Sequence, residues 1–365
     1  MSKQDFKYLI YTVLVLFAAN STQAQGISAF SDYRGYFYAF DNGNINKLEY
    51  LQITNYKAGS SAIAYIDNRN DFKVYYNGKS SFQLNAADFK YWVTDYLVAY
   101  KVGQVLYVND AGTKKTLSYY NTQMALGDSL ISWFDDAQYT FNIYYNGRTA
   151  ELENSLLEPP RNLKAGPNTL AWVNQSNFFN VFYHGNVMNL DNMAPQEFAV
   201  GRDIMAWVDN YTQNFHIFYN GDTATASAFA PDSFKVGYGI MAYIDQLGNF
   251  QVFYNGGIRQ IIPDRPDFFQ VRGNVIIYGY NGTFNAFYQG KTYRIETYIP
   301  SSFKIGINGV AYKDPGGLLK FFSKGNTYNA SNELINDYSV TGDVLSFNVG
   351  TNTSQFFWEG QLYQQ

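Results

Sequence analysis

The sequence predicts an all-β protein built from about ten copies of one short antiparallel unit, because three landmarks recur at regular spacing. A hairpin turn, usually Asn-Gly, returns every 34 to 38 residues, with its glycine at Gly43, Gly78, Gly112, Gly147, Gly185, Gly221, Gly256, Gly290, Gly325 and Gly360. One aromatic residue lies 12 to 14 residues before each turn, at Phe30, Tyr65, Tyr100, Trp133, Trp172, Trp207, Tyr243, Tyr278, Tyr312 and Phe347. In six copies a further glycine ends a short preceding segment, at Gly59, Gly127, Gly166, Gly201, Gly237 and Gly306. Landmarks that keep one order through ten copies define a repeat protein.

Residues 239–256 show how one copy is built. The segments Ile240–Ile244 and Phe250–Tyr254 are rich in the β-branched and aromatic residues that favour strands. Asn255-Gly256 readily adopts the positive φ angles of a tight hairpin. Segments 234–237 and 258–262 add one strand on either side, so each copy offers up to four short strands. Both faces of the segment 250–254 carry large apolar groups, which predicts a sheet packed between two neighbours.

Four antiparallel strands in each repeat are typical of propeller blades. The chain resembles the broad β-propeller superfold through its recurring (A)-Y/W-x-D and F-x-V-F-Y-N-G patterns, although it has no WD40 or kelch signature. The resemblance implies a β-propeller-like array of ten short antiparallel blades, closed as one ring or as two five-bladed rings. An open superhelical array is a third arrangement. The longest gap, from Gly147 to Gly185, contains Pro159-Pro160 and predicts a bulging loop rather than a domain border.

Residues 1–24 have the pattern of a signal peptide, and residues 25–365 form the predicted β-propeller repeat domain. Lys3 and Lys7 precede an apolar run at 8–19, and residues 22–24 offer a small-x-small cleavage site. The run is shorter than the roughly 20 residues that span a bilayer. An N-terminal membrane anchor is the alternative. We therefore expect an exported protein that is not integral to the membrane after cleavage. It is expected in the periplasm, with secretion or the cell surface as alternatives.

Composition excludes several kinds of function. The net charge of −4 argues against a nucleic-acid partner, which requires a positive surface. The chain has no cysteine, so disulfides and thiol catalysis are excluded. Its two histidines, His184 and His216, have no repeated acidic or thiol partner, which makes a metal site improbable. No nucleophile elbow and no cofactor loop is found. We expect no catalytic residue, no cofactor and no metal ligand, and hence no enzyme.

Two groups of residues still require an interpretation. Aspartates close the first long strand of five copies, at Asp32, Asp67, Asp135, Asp209 and Asp245. Aspartate often bonds its own backbone in turns, so a structural role is favoured over calcium binding or catalysis. The pair Asp135-Asp136 also suits a glycosidase, which needs two carboxyl groups across a sugar. The ladder tryptophans Trp133, Trp172 and Trp207 are interpreted as packing residues rather than a sugar platform.

Trp92 departs from the repeat and is the one candidate interface residue. It occupies a position that is small or polar in most other copies, at Lys57, Lys164, Ala199, Lys235, Gln270, Lys304 and Ser339. Tryptophan is enriched at binding hot spots, so Trp92 is either an interface anchor or a packing residue of an irregular copy.

These observations predict a non-catalytic, exported protein-interaction module that binds another protein. A lectin-like, carbohydrate-binding propeller is the first alternative. A glycoside hydrolase is the second, and acids from several copies would then have to converge. The leader ending in Ala24-Gln25, the Tyr-, Asn- and Phe-rich chain and the absence of cysteine resemble exported proteins of gliding, type 9-secreting Gram-negative bacteria. In size and style the chain is similar to the periplasmic plug subunit of the type 9 secretion translocon, which implies an outer-membrane secretion complex as partner.

Overall fold

The computed structural model describes residues 26–85, 87–350 and 353–365, the side chain of Asn336 excepted, and all regular elements in this part are β-strands. The predicted signal peptide, residues 1–24, lies outside the described residues. The strands form nine antiparallel sheets in which consecutive strands are neighbours, and they make ten blades because the seven-stranded sheet comprises two blades. The all-β prediction and the four-stranded unit are therefore confirmed.

Blade 1 has three strands, which take the positions of the second, third and fourth strands of the other blades: β1 (Ile27–Ser31), β2 (Phe37–Asp41) and β3 (Asn44–Glu49). Blades 2 to 5 have four strands each. Blade 2 contains β4 (Asn55–Ala58), β5 (Ala62–Ile66), β6 (Asp71–Tyr76) and β7 (Lys79–Asn85), and blade 3 contains β8 (Lys90–Val93), β9 (Leu97–Val102), β10 (Val105–Asp110) and β11 (Thr113–Ser118). Blade 4 contains β12 (Asn121–Leu126), β13 (Leu130–Asp135), β14 (Thr140–Tyr145) and β15 (Arg148–Glu153), and blade 5 contains β16 (Arg161–Ala165), β17 (Thr169–Val173), β18 (Phe179–Tyr183) and β19 (Asn186–Asp191).

Blades 6 to 8 also have four strands each. Blade 6 contains β20 (Glu197–Val200), β21 (Ile204–Val208), β22 (Phe215–Tyr219) and β23 (Asp222–Ser227), and blade 7 contains β24 (Ser233–Val236), β25 (Ile240–Ile244), β26 (Phe250–Tyr254) and β27 (Gly257–Ile262). Blade 8 contains β28 (Phe268–Arg272), β29 (Val275–Tyr280), β30 (Thr283–Tyr288) and β31 (Lys291–Glu296). Blades 9 and 10 share one long strand, β35, and contain β32 (Phe303–Ile305), β33 (Gly309–Lys313), β34 (Leu318–Ser323), β35 (Asn326–Thr341), β36 (Val344–Val349), β37 (Thr353–Trp358) and β38 (Gln361–Gln364).

The recurring Asn-Gly positions form the turns that the sequence predicts. At Asn255 and Gly256 the φ angles are 50° and 77°, as a tight hairpin with two left-handed residues requires. The residue before each turn glycine has a positive φ in all ten copies, including those where it is not asparagine. The turn therefore fixes the register between the third and fourth strands of every blade.

Ten apolar clusters separate the ten blades, one at each interface between neighbours. The ladder aromatics lie in these clusters, and none of them is more than 8% exposed. The tenth cluster joins the last blade to the first, where Phe40 of β2 stacks on Phe356 of β37 with ring centroids 4.8 Å apart. The blades therefore close into one ring, which decides between the three arrangements that the sequence left open.

The two ends of the ring differ in what they carry. The turn between the first and second strands and the Asn-Gly turn lie at the same end of each meander, and we call this end the turn face. The connections between blades and the loops between the second and third strands lie at the other end, the loop face. In each four-stranded blade the first strand is innermost, because the turns that follow it contact one another around the central opening.

The recurring inner-strand glycines are explained by this contact. A Cβ atom on Gly201 would lie 2.2 Å from the carbonyl oxygen of Gly237 in the next blade, and one on Gly127 would lie 2.1 Å from that of Gly166. Real Cβ atoms do not approach so closely, and a backbone carbonyl cannot rotate away as a side chain can. Glycine is therefore required at these contacts, whereas blade 3 has Thr94 at the equivalent position.

We expect Gly201→Ala to lower the free energy of unfolding by about 2–3 kcal/mol, because it forces neighbouring backbones apart. The matched control is Gly257→Ala, where a Cβ atom would meet nothing nearer than 3.9 Å. Its effect should stay within about 0.5 kcal/mol. Urea denaturation of both variants measures the difference, and equal stabilities would contradict the steric explanation.

Candidate functional site

The repeated aspartates serve the turns of the loop face. Asp245 Oδ1 accepts hydrogen bonds from the backbone amides of Leu247 and Asn249, at 3.0 and 2.8 Å. Asp67 Oδ1 does the same for the amides of Arg69 and Asp71, at 2.8 and 2.9 Å. Burial works to raise the pKa of Asp245, but hydrogen bonds from the side chains of Asn249 and Gln251, together with these amide bonds, hold that pKa below its usual value. The carboxylates thus order the loops.

The acidic pair Asp135-Asp136 does not form a two-carboxylate site. Asp135 is buried, and it accepts hydrogen bonds from Ser118 Oγ at 2.7 Å and from the amides of Ala137 and Gln138 at 3.1 Å. Asp136 is exposed on the next residue of the turn. The first carboxylate is therefore used by the fold.

The two histidines lie in different blades and have different partners. His184 is in a hairpin turn, with its Nε2 3.3 Å from Asp203 Oδ1. His216 is half-buried, and its ring stacks on Trp207 with centroids 5.1 Å apart. In the described part of the chain, no three histidine or acidic side chains gather to hold a metal ion.

Trp92 lies on the inner strand β8. It is half-buried and packs against the cluster between blades 3 and 4, which includes Trp133 and Leu106. All four lysines at its position in other copies behave differently: each donates to an inner-strand carbonyl of the next blade, as Lys235 does to Phe269 at 3.0 Å. Trp92 thus replaces a polar contact between blades by an apolar one. A role as an interface anchor stays a prediction.

Four side chains from four blades meet across the central opening at the turn face, and we call them the axial cluster: Asp95, Asp128, Arg202 and Tyr238. The Tyr238 hydroxyl lies 2.9 Å from Asp95 Oδ2 and 2.9 Å from Asp128 Oδ2. The Arg202 guanidinium packs on the Tyr238 ring at 3.8 Å from its centroid, and its Nη2 is 3.6 Å from Asp128 Oδ2. Blade 7 is thereby joined directly to blades 3 and 4.

The cluster brings together two half-buried carboxylates, those of Asp95 and Asp128. Burial, and then the charge of Asp95, raises the pKa of Asp128 above its usual value, while Tyr238 and Arg202 act in the opposite direction. Burial together with the two carboxylates raises the pKa of Tyr238 far above its usual value, so its hydroxyl stays protonated and donates. Arg202 supplies the positive charge that lets both acids remain close.

The sequence contained a signal for this cluster that the repeat landmarks did not use. All four residues occupy the first position of the turn after the inner strand. That position holds Ser60, Pro167, Gly273, Ile307 and Gly342 in the other blades that have an inner strand. Charged or phenolic groups therefore stand out only when the copies are aligned on this turn.

The axial cluster also bears on the hydrolase alternative. Acids from two copies do converge, as that alternative requires. The space between them, however, holds the chain's own Tyr238 hydroxyl rather than room for a sugar. The arrangement ties blades together by a half-buried polar bridge.

The loop face carries most of the exposed apolar groups. Of the twenty exposed large apolar residues in the described part of the chain, thirteen lie in its loops. They are Tyr33, Tyr50, Leu51, Tyr119, Tyr120, Tyr139, Leu157, Phe178, Met193, Tyr211, Phe229, Leu247 and Ile299. Leu157 belongs to the loop with Pro159-Pro160 and is 86% exposed. Tyr96 is the one member of the twenty in a turn of the opposite face.

The described residues include no helix with the length and apolarity needed to cross a bilayer. The family model described as "10-bladed beta propeller domain" matches residues 21–363. No match is found among curated protein sequences.

Solved structures with a similar fold include a eukaryotic initiation factor, at 12% identity and a TM-score of 0.47, covering 94% of this chain and 98% of that one. The computationally designed Ika8 protein is 12% identical with a TM-score of 0.35, covering 73% and 95%. The CRINKLY WD40 ectodomain of the Arabidopsis thaliana receptor kinase ACR4 is 9% identical with a TM-score of 0.33, covering 66% and 98%.

We expect Arg202→Gln to lower the free energy of unfolding by about 1–3 kcal/mol at pH 7, because two carboxylates lose their positive neighbour. The loss should be smaller at pH 4. The pKa of Asp128 is raised in the folded protein, so its stabilising proton is present at low pH and is lost as the pH rises through that pKa.

Urea denaturation at the two pH values measures this dependence. Lys324→Gln is the control, since its ion pair with Glu359 is exposed and should contribute less than about 1 kcal/mol at either pH. A cost for Arg202→Gln that is the same at pH 4 and pH 7 would contradict the electrostatic role.

Proposed function

The chain belongs to the family of 10-bladed beta propeller domains, and we propose that it is a non-catalytic protein-interaction module whose loop face binds the partner. The observation that carries the proposal is the concentration of exposed apolar side chains in the loops of this one face. Fully burying one large apolar side chain contributes about 1.5–3 kcal/mol. Several of them covered by one partner would supply a stable complex.

The loops are also ordered before any partner arrives. Asp209 Oδ1 accepts hydrogen bonds from the amides of Tyr211 and Thr212, both at 2.7 Å, and so fixes the loop that presents Tyr211. Asp245 does the same for the loop that presents Leu247. A surface that is already ordered loses less conformational entropy on binding. The combination of exposure and order supports a docking face.

The finer proposal concerns the place and the partner. The leader pattern at residues 1–24, the absence of cysteine and the similarity in size and style to a secretion plug subunit support export to the periplasm of a Gram-negative bacterium. We therefore propose an accessory or plug subunit of an outer-membrane protein secretion complex. The propeller would contribute the binding surface, and the outer-membrane partner would contribute the pore.

The experiment is a pull-down of the full-length chain, tagged at its C-terminus and expressed with its leader, from membranes solubilised in mild detergent. Mass spectrometry should identify a stoichiometric outer-membrane protein, and N-terminal sequencing of the captured chain should begin at Gln25. Recovery of the chain as a free monomer alone would overturn the accessory role. A glycan array would then test the lectin-like alternative.

On the loop face, the double variant Tyr211→Ser, Leu247→Ser should reduce capture of the partner at least tenfold. Both side chains are more than 85% exposed, so their removal should leave the fold intact. The matched control is Val187→Ser, Ile258→Ser, which removes exposed apolar groups from the outer strands β19 and β27. If the control weakens capture as much as the loop variant does, the partner does not bind through the loop face.

For Trp92 the same pull-down should be combined with urea denaturation of Trp92→Ala. If the residue only packs between blades, the variant loses about 3 kcal/mol or more of stability, and capture by the folded fraction is unchanged. If it anchors the partner, capture falls at a protein concentration corrected for folding. The half-buried position and the apolar neighbours favour the first outcome.

A further inference from the structure

Four side chains meet between neighbouring blades near the loop face, and we call their meeting place the inter-blade slot. One is the outer-strand residue of the first blade that pairs with the start of the third strand. The other three come from the second blade: the ladder aromatic, the residue opposite it on the third strand, and the loop acid. Between blades 1 and 2 these residues are Glu49, Tyr65, Lys73 and Asp67.

In two slots the chain supplies its own ammonium group. Lys73 Nζ lies 2.7 Å from Glu49 Oε1 and 2.8 Å from Asp67 Oδ2. Between blades 8 and 9, Lys320 Nζ lies 2.7 Å from Glu296 Oε1. These two slots therefore show which group fits between their acids, namely a primary ammonium group held by carboxylates.

The slot between blades 5 and 6 keeps both acids without the lysine. Its outer-strand residue is Asp191, its loop acid is Asp209, and His216 takes the lysine position. His216 Nδ1 is 3.2 Å from Thr225 Oγ1, so the imidazole is engaged on its own blade. These side chains border a cavity of about 420 Å³.

Asp191 and Asp209 both line this cavity, and Asp191 Oδ1 accepts a hydrogen bond from the amide of Met193 at 3.2 Å. Asp209 Oδ1 is used by the amides of its loop, as Asp67 Oδ1 is in blade 2. Burial, and then the hydrogen bond and charge of Asp209, raises the pKa of Asp191 above its usual value. Two carboxylates close together hold a proton when no other cation balances them.

Trp207 gives a second, independent sign that something is missing. The residue is 3% exposed and borders the cavity, and its indole Nε1 has no hydrogen-bond partner among the described residues. The equivalent Trp172 donates its Nε1 hydrogen to Glu153 Oε1 at 2.6 Å, and Glu153 is the counterpart of Asp191. Aspartate is one methylene shorter than glutamate, so the Trp207 donor is left without an acceptor, which is costly for a buried N–H.

We propose that this slot binds a primary ammonium group from outside the chain, between Asp191 and Asp209, together with an adjacent oxygen that accepts from Trp207 Nε1. The ligand class is therefore an amino alcohol, including the amino sugars. The ammonium takes the place that Lys73 fills in blade 2. The neighbouring oxygen distinguishes this ligand from a lysine side chain, which carries no acceptor near its charge. The inference does not depend on the docking role of the loop face.

The test follows the tryptophan indole N–H resonances of the ¹⁵N-labelled full-length protein, with the Trp207 signal assigned through Trp207→Phe. Titration with ethanolamine should shift the Trp207 signal in a saturable manner, and ethylene glycol, which has no charge, should not. Asp191→Asn should weaken ethanolamine binding at least tenfold. An unmoved Trp207 signal, or equal binding by Asp191→Asn, would overturn the proposal.

His216→Lys provides a more specific test, because it places an ammonium group of the chain itself in the slot. We expect this variant to lose ethanolamine binding while the other indole signals stay in place. Gln251→Lys is the matched control: that slot contains Asp245, but Ser227 stands where the second acid would be. It should leave the titration unchanged. Ethanolamine binding that survives His216→Lys would overturn the ammonium site, and equal affinity for propylamine would overturn the role of the oxygen.

Discussion

The approach of backbone to backbone at the turn face is the constraint on which the rest of the ring depends. Neighbouring inner strands lie so close there that a single methyl group, as on Gly166, would meet a carbonyl oxygen at 2.3 Å. This contact sets how near the nine blades that have an inner strand come to the axis. The aromatic clusters farther out then fill the wedges between the blades. Side chains at the inner turns consequently reach across the opening, which brings the axial cluster together.

Much of the fold could be predicted from the sequence, because its signals are local. The strands Ile240–Ile244 and Phe250–Tyr254 lie where the β-branched and aromatic pattern places them. The ladder aromatics are buried as their spacing predicts. Whether the array closes once or twice could not be predicted, because closure depends on a small rotation at each interface that accumulates over all ten blades. No residue of one copy records that angle.

The candidate sites were harder to predict for a related reason. Asp95 and Tyr238 belong to copies four apart, and only the closed ring makes them neighbours. The slot between blades 5 and 6 differs at three of its four residues from the slot between blades 1 and 2, and this pattern becomes visible once Lys73 and its acids are seen together. Trp92, by contrast, was conspicuous in sequence and lies partly in a core cluster. Departures from a repeat become interpretable when the contacts of the regular copies are known.

The axial cluster has a consequence for motion. A ring whose blades contact only their neighbours is soft toward elliptical deformation, since each interface need shift only slightly. A contact from blade 7 to blades 3 and 4 runs along a chord of that ring and resists flattening in this direction. The Tyr238 hydroxyl thus connects blades that are not neighbours in the ring. Protonation of a single carboxylate of the axial cluster would therefore change how easily the whole ring deforms.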